Sequence, residues 1–512
     1  MKTLRLAILL PVVWTLQCTP KPEPTRPRRT TADQPARPRA ARPTAPRRIA
    51  PRRVAARRPA PRPVVAWRAH PPLPGPAPAI VTPKVESRKL KNGLTVLLVK
   101  RPTLPLVAFR LVIRAGSHED REKVGVASMT ADMLNEGVKG SSALQLSERA
   151  GQLGTTLSTQ ADEDGTHLSI VVLKRHARAA LQLLTGAALR PTFPKAELTR
   201  RQLATVNHVR RLLFHPNAVA SLVFQRVLFG RGHPYGRLDT GRPKDIQALT
   251  RADLVGFHRS HYRPDNAALV VVGDVSWDRV LPWVRRAFGG WRASGKPAAV
   301  SVAPQQTAGR LFLVNRPQSA QSVIRVGEIG PSRRHPDMVR LLVMNTILGG
   351  SFSSRINMNL REKHGYTYGA YSYFSLNRRP SPFQVVTSVK TAVTGPALRE
   401  ILRELKSMAG GKVSAAELQL AKQYLSVSVS GWFITNEGVS RAVSRLFLNE
   451  LPLDFWTRFP TRVRGVTGAD VAAVARRHLH PAKVKVVVVG DVTALGDSLQ
   501  GLGLGQPTLL KP

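Results

Sequence analysis

The sequence predicts an α+β protein of two homologous lobes joined by a linker. Three observations carry that expectation. Residues 250–275 contain a Thr-x-x-Asp start, a His, a Pro and a Val-Val-Val-Gly-Asp-Val end, and the same series returns at 467–492. The two copies keep a constant offset of 217, so position 264 maps to 481 and 273 to 490. A period that long marks a duplicated domain and not a solenoid. Strand-like and helix-like apolar periods are interspersed along the chain, and 512 residues leave room for two or three cores.

The chain opens with Lys2 and Arg5 ahead of an apolar run over 6–16, too short for a comfortable membrane span, and 1–18 reads as an export signal. Leu16-Gln17-Cys18 resembles a bacterial lipoprotein cleavage site, with Cys18 as the acylated residue, although Gln17 departs from the small residue preferred there. The expected location is the cell envelope, as a membrane-anchored lipoprotein facing the periplasm. A mitochondrial presequence is the alternative, but the arginines lie among prolines, where no amphipathic helix forms. Cys18 is the one cysteine, so no intramolecular disulfide framework or cysteine metal site exists.

Residues 19–84 are rich in Pro, Arg and Ala. Proline keeps such a segment extended and its charge repels itself, so it builds no core and reads as a tether. The formal net charge is +47. Such charge suits nucleic acid, anionic lipid or acidic polymers, or reflects composition alone. No helix-turn-helix, zinc-finger or aromatic RNA-binding pattern accompanies it, so no nucleic-acid partner is expected.

The first lobe is expected over 85–291. Asn92-Gly93 signals a hairpin turn before a strand, and 106–114 reads as the next strand. Helical periods follow over 124–136, 143–152, 177–189 and 195–213, with paired strands between them over 155–174. A turn at 232–236, a helix over 250–261 and a buried strand over 267–272 complete the lobe. Residues 292–309 read as the linker and 310–505 as the second lobe, where Ser414-x-x-Glu417 is a capping box opening a helix to about Val427.

The stretch 348–368 holds the candidate binding residues of the second lobe. Gly349, Gly350 and Ser351 form a small-residue edge that lets backbone approach a ligand. A helix-like run over 353–363 ends near Gly365, and an aromatic strand follows over 366–374. Arg361 and Tyr368 lie seven residues apart across that junction. A guanidinium and a phenol converging there can grip a peptide carbonyl and its developing oxyanion. The plainer alternative pairs Arg361 with Glu362 or a neighbour and makes Tyr368 core filler.

Leu348-Gly-Gly-Ser-Phe-Ser-Ser-Arg-Ile, Leu360-Arg-Glu and Gly365-Tyr-Thr-Tyr368 together resemble the second half of the insulinase, pitrilysin and mitochondrial-processing-peptidase family. In the first lobe the likeness extends to Asn92-Gly93-Leu94, Gly116-Ser117, Gly125 with Ala127, His233-Pro-Tyr-Gly236, Tyr262-Arg-Pro-Asp-Asn266 and Gly273-Asp274. It implies lobes that are each a mostly antiparallel sheet flanked by helices, and a substrate-gripping role for Arg361 and Tyr368. It also implies a zinc motif, H-x-x-E-H, on the first long helix, with two imidazoles facing one metal and a Glu activating its water. Here that motif reads Ser128-Met-Thr-Ala131-Asp132, so both His and the Glu are absent, and no metal is expected on this chain. The third ligand is expected on the helix over 195–213, where Arg201 or nearby Asn207 and His208 stand. His118, with Glu119, Asp120 and Glu122, reads as a charged turn. His233, His261 and His478 match scaffold positions.

The resemblance therefore implies a non-catalytic subunit of a two-chain peptidase. Its expected partner is a zinc-bearing homologue in a heterodimer, with peptide as substrate and the zinc in the partner. A catalytically inactive scaffold protein of the envelope is the alternative, and a lone peptidase with a relocated metal site a further one.

Overall fold

A computed structural model describes residues 82–293, 295 and 300–511. The expected export signal, Cys18 and nearly all of the tether lie outside the described residues.

The Asn92-Gly93 turn joins β1 (Glu86–Lys89) to β2 (Thr95–Lys100) in antiparallel pairing. Gly93 has φ +97°, a conformation in which only glycine is unstrained. The first sheet adds β3 (Leu106–Ile113), β4 (Ser158–Ala161), β5 (Thr166–Leu173) and β6 (Ala267–Gly273), in the order β1-β2-β6-β3-β5-β4. All its pairs are antiparallel except β2 with β6. The second sheet holds β7 (Leu311–Asn315), β8 (Gln321–Gly330), β9 (Ala370–Phe374), β10 (Ser381–Lys390), β11 (Lys485–Gly490) and β12 (Thr508–Leu509), in the order β9-β10-β8-β11-β7-β12. Matching strands across the offset of 217 therefore occupy matching places, and the two homologous lobes are mostly antiparallel sheets flanked by helices, as the repeat requires.

The helices of the first lobe are α1 (Val126–Met133), α2 (Ala143–Gln152), α3 (Ala177–Leu189), α4 (Lys195–Leu213), α5 (Pro216–Phe229), α6 (Arg251–His261) and α7 (Trp277–Phe288). Those of the second are α8 (Met338–Asn345), α9 (Thr394–Ala409), α10 (Ala415–Gly431), α11 (Asn436–Leu448), α12 (Phe455–Arg464) and α13 (Gly468–His478). Capping boxes start α2, α6, α10 and α13 from Ser142, Thr250, Ser414 and Thr467, each satisfying two otherwise orphaned amides.

The alternation of side chains along a strand sends Leu269 and Val271 to one face of the first sheet and Ala268, Val270 and Val272 to the other. The first face packs on the lobe's own helices, α3 among them. The second packs on α11, which belongs to the second lobe. The exchange is mutual. Helix α5 of the first lobe lays Val219, Val223, Phe224 and Val227 against Phe312, Val323, Val487 and Val489 of the second sheet. Polar ties fix the crossings. Arg101 donates to the Phe433 carbonyl at 2.7 Å, Arg114 to the Phe447 carbonyl at 2.8 Å, and Asn436 to the Leu106 carbonyl at 3.1 Å. Arg110, 4 % exposed beneath α11, donates to Ser440 at 3.2 Å. Burial pulls its guanidinium down to about 10.

The linker carries no regular structure over 300–310 and is fastened to the end of α5 by two amide bonds, from Gln305 to the Phe229 carbonyl and from Thr307 to the Val227 carbonyl, both 2.9 Å. All described residues belong to one compact unit spanning 78–512. Because each sheet depends on a helix from the other lobe, the lobes should unfold together. Phe224→Ala removes a fully buried ring from the exchanged helix and should cost about 3–5 kcal/mol. Differential scanning calorimetry should show one transition moved down as a whole, and a first-lobe transition left at its original temperature would contradict the interlock.

Candidate functional site

Helix α1 carries the degenerate motif. Its N-terminus is set by Gly125 at φ +91°, where a Cβ would meet the Thr240 carbonyl oxygen at 2.3 Å. Asp120 caps it by accepting the amides of Gly125 and Ala127 at 2.7 and 2.8 Å. Burial pushes the Asp120 carboxyl up to about 8 against those two bonds. His118 is buried as well, 3.0 Å from Glu119 and edge-on to His233 and Tyr235. The charged turn expected at His118, Glu119, Asp120 and Glu122 is present, with His118 and Asp120 buried, Glu119 half-buried and Glu122 exposed. The turn is folded under the sheet edge and holds α1 in place, and only Arg121, Glu122 and Lys123 face solvent.

Ser128 is buried and donates to the Asp239 carbonyl at 2.9 Å. Ala131 is a fully buried methyl. Asp132 is half-buried and has no hydrogen bond among the described residues. Crowding by protein pushes it up to about 6, while Arg201 opposes and Glu136 reinforces that rise. Arg201, from α4, does not reach Asp132. It forks onto Glu136, one turn further along the chain, with Nε at 2.7 Å, and Arg200 reaches the other oxygen of Glu136 at 2.5 Å. Asn207 is half-buried on α4 and His208 is exposed.

These residues do not fit zinc. The Ser128 hydroxyl is occupied by a carbonyl, Ala131 offers nothing, and the remaining carboxylate faces a fixed guanidinium instead of two imidazoles. Arg201 supplies positive charge toward Asp132, and its guanidinium stays protonated and offers no lone pair to a metal. Glu136 and Arg200 are absent from the sequence reading, and Arg201 is named there only as a residue standing where the third ligand is expected. An acidic residue one turn past the motif, with paired arginines on the facing helix, was the available signal.

A second histidine group, His335, Asp337 and His478, has ligand atoms within 4.8 Å of one another. Each member stands 217 positions after His118, Asp120 and His261. Asp337 is already held by Arg477 at 2.6 Å, Arg340 at 3.3 Å and His478 at 3.1 Å, so the group repeats the lobe's scaffold and offers no open carboxylate. His233 and His261 are likewise packed as scaffold, stacked on Phe229 and Phe257.

In the second lobe, a π-helical turn over Thr346–Gly350 follows α8. A Cβ on Gly349 would meet Ser372 Oγ at 2.4 Å, and one on Gly350 would meet Asn345 Nδ2 at 2.7 Å. The close approach of this glycine pair is thus to the chain's own β9 and α8. Ser351 is buried and donates to the Thr346 carbonyl at 3.2 Å. The helix expected over 353–363 is a short turn at Arg355–Asn357 running into a π-helical turn over Met358–Lys363. The strand begins at Ala370 and not at 366. Arg361 lies at this helical end, half-exposed, with Glu362 at 3.3 Å and its guanidinium 4.5 Å from the centre of the Phe352 ring. Tyr368 is 93 % exposed, so it is no core filler. On α10 of the same lobe, Leu420, Tyr424 and Val427 are exposed apolar side chains at helical spacing.

Two family models match the chain: the insulinase (peptidase family M16) model over residues 95–225 and the peptidase M16 inactive-domain model over 248–425. The chain belongs to the insulinase peptidase family. An uncharacterized zinc protease of Bacillus subtilis is 25% identical over 365 residues, covering 71% of this chain and 87% of the relative. One of Mycobacterium tuberculosis is 26% identical over 411 residues, covering 78% and 92%. Among solved structures, a peptidase M16 inactive domain from Pseudomonas fluorescens superposes with a TM-score of 0.73 at 27% identity, covering 80% of this chain and 98% of that one. A protease from Helicobacter pylori superposes at 0.74 with 21% identity, covering 80% and 99%, and shares the fold.

The folded-state value of Asp132 lies above that of an unfolded aspartate. Between about pH 4 and 6 the folded chain keeps a proton that the unfolded chain has released, so the contribution of this group to stability falls as pH rises through that window. Asp132→Asn should flatten this part of the pH dependence and stabilise the chain at pH 7–8 by at most about 3 kcal/mol. Urea unfolding at pH 5 and pH 8 measures it, and equal losses for wild type and variant would exclude the effect.

Proposed function

We propose that this insulinase-family chain is a zinc-less, peptidase-like subunit that binds peptide and completes the chamber of a zinc-bearing homologue. The observation that carries the reading is a split between lobes. Helix α1 has lost both imidazoles and the base, with Arg201 beside the remaining carboxylate, whereas Arg361 and the exposed Tyr368 are kept in the second lobe. A peptide held between two walls needs its recognition groups on one wall and its metal on the other. Tyr368 at 93 % exposure touches too little of its own chain to be explained by packing. The exposed Phe352, Leu420, Tyr424 and Val427 on the same lobe are apolar surface of the kind a peptide or partner covers.

In this reading Arg361 releases Glu362 as substrate arrives and turns its donors toward the scissile carbonyl, with the Tyr368 hydroxyl beside it. Their bonds strengthen as charge builds on that oxygen. Zinc and its water belong to the partner. The proposed location is the cell envelope, with Cys18 lipidated and the basic tether spanning from the membrane to the lobes. Among the described residues no single helix is long and apolar enough to cross a membrane.

The test is peptide cleavage by the reconstituted pair. Arg361→Ala and Tyr368→Phe should each lower turnover about 10²–10³-fold, the cost of removing one oxyanion donor, while assembly and the partner's zinc content stay unchanged. Wild-type rates from both variants would make the corner structural and leave the scaffold reading. Elemental analysis of the purified chain alone should find no stoichiometric zinc. One chelator-removable zinc per chain would overturn the division of labour.

A further inference from the structure

The outer face of the first lobe carries a basic cleft remote in function from anything above. It lies between α3 and α7 and encloses about 480 Å³. Arg178 and Arg190 stand on its α3 side, Arg286 and Arg292 on its α7 side, and Trp283 and Trp291 wall it. Among the described residues no carboxylate lines it. None of the four guanidinium groups has a hydrogen-bonding or ionic side-chain partner among the described residues. Other arginines, Arg200, Arg201, Arg263, Arg340, Arg355 and Arg378 among them, sit on carboxylates, but the chain has 78 Lys and Arg against 31 Asp and Glu, so what sets the cleft apart is the gathering of four guanidinium groups around one cavity and not their lack of partners.

Helix dipoles account for part of the cluster. Arg190 caps the C-terminus of α3 and Arg286 lies in the last turn of α7, where cations gain about 0.3–1 kcal/mol. Arg178 has the opposite placement, in the first turn of α3, where the dipole disfavours it, and Arg292 lies beyond α7. Leu181, Leu189 and Ala287 give the cleft an apolar floor. The indole N–H of Trp291 is taken by the Tyr262 carbonyl at 3.0 Å, whereas that of Trp283 has no acceptor among the described residues. The lining of α3 from Arg178 to Arg190 extends about 18 Å, with Leu181, Gln182, Thr185 and Leu189 between the two arginines, so the cleft is elongated, charged at both ends of its α3 wall and mixed apolar and polar between them.

We propose that this cleft binds a phosphate-bearing ligand with an apolar or aromatic body. Guanidinium forks match phosphate oxygens in pairs, and the Trp283 ring and aliphatic floor take the body. A soluble nucleotide and an anionic phospholipid headgroup share this chemistry.

The experiment is calorimetric titration of the full chain at 0.15 M salt, which screens diffuse attraction to its many surface cations. The probes are ATP, inorganic pyrophosphate and a soluble short-chain phosphatidylglycerol. One of the two bodied probes should saturate a single site more tightly than pyrophosphate, and which one does so identifies the source. Arg178→Ala/Arg286→Ala should weaken that site about tenfold or more. Trp283→Ala should weaken the bodied probe and leave pyrophosphate unchanged. Arg399→Ala/Lys406→Ala removes the same charge from an exposed face of α9 and should change nothing. Failure of both bodied probes to saturate, or an equal loss in the α9 variant, would overturn the proposal. Thermal melting checks that each variant is folded, and the exposed single variant Arg292→Glu repeats the test if the double variant is not.

Discussion

Each sheet in this chain has one face that its own lobe cannot cover. The strand β6 shows why. All seven of its residues are buried, so a single layer of helices would leave Ala268, Val270 and Val272 in water. Helix α11 from the other lobe closes that face, and α5 closes the matching face of the second sheet. Burying a Val, Leu or Phe side chain stabilises by about 1.5–3 kcal/mol, so the several apolar residues exchanged each way outweigh any single polar tie. Separating the lobes would expose both faces together, along with Arg110, whose partner Ser440 lies on the exchanged helix.

That interlock bears on the degenerate metal site. In a protein whose fold leaned on a bound metal, losing the ligands would cost folding energy outright. Here α1 is held by the Asp120 cap, by the Ser128 bond to the Asp239 carbonyl and by its packing on α6 and α4. Arg200 and Arg201 neutralise Glu136 between helices α1 and α4. A buried carboxylate without such partners would be strongly destabilising. Helix α1 can stand without metal ligands because the Asp120 cap, the Ser128 bond and the Glu136 pairs hold it without an ion, and Asp132 alone on that helix is left as a carboxylate with no hydrogen bond among the described residues.

The sequence-derived reading was sound where information is local. Helices α2, α3 and α4 begin and end where their apolar periods do, and at α2 the Ser142 capping box coincides with the start of the period. The duplication was legible from one constant offset. The reading failed where the decisive contact is distant in the chain. Nothing local in 216–229 says that its apolar face belongs to the other lobe, and nothing in His118-Glu119-Asp120 says that a charged turn is buried, since its partners at His233, Tyr235 and Arg379 are remote. The glycine pair at 349–350 was read as an opening toward a ligand, whereas Ser372 and Asn345 already fill that space. Arg361 kept two readings open because a guanidinium beside Glu362 looks alike in sequence whether it rests there or is released on binding.

The duplication also shows how two lobes with one ancestry come to differ. The scaffold group His118, Asp120 and His261 recurs as His335, Asp337 and His478, so both lobes kept the histidine and carboxylate at the start of their first core helix. The long helices α4 and α10 expose Leu203 and Leu420 at equivalent positions. One turn on, where α4 has Asn207, α10 has Tyr424, whose phenol is pushed up chiefly by burial and further by Tyr371. Buried positions differ as well, with Ser128 and Ala131 of α1 standing opposite Asn345 and Leu348, while the histidine and carboxylate that tie the core helix into its lobe are shared. A duplicated fold constrained in this way can lose reacting groups on one lobe and keep recognition groups on the other, because neither set carries the packing that holds the lobes together.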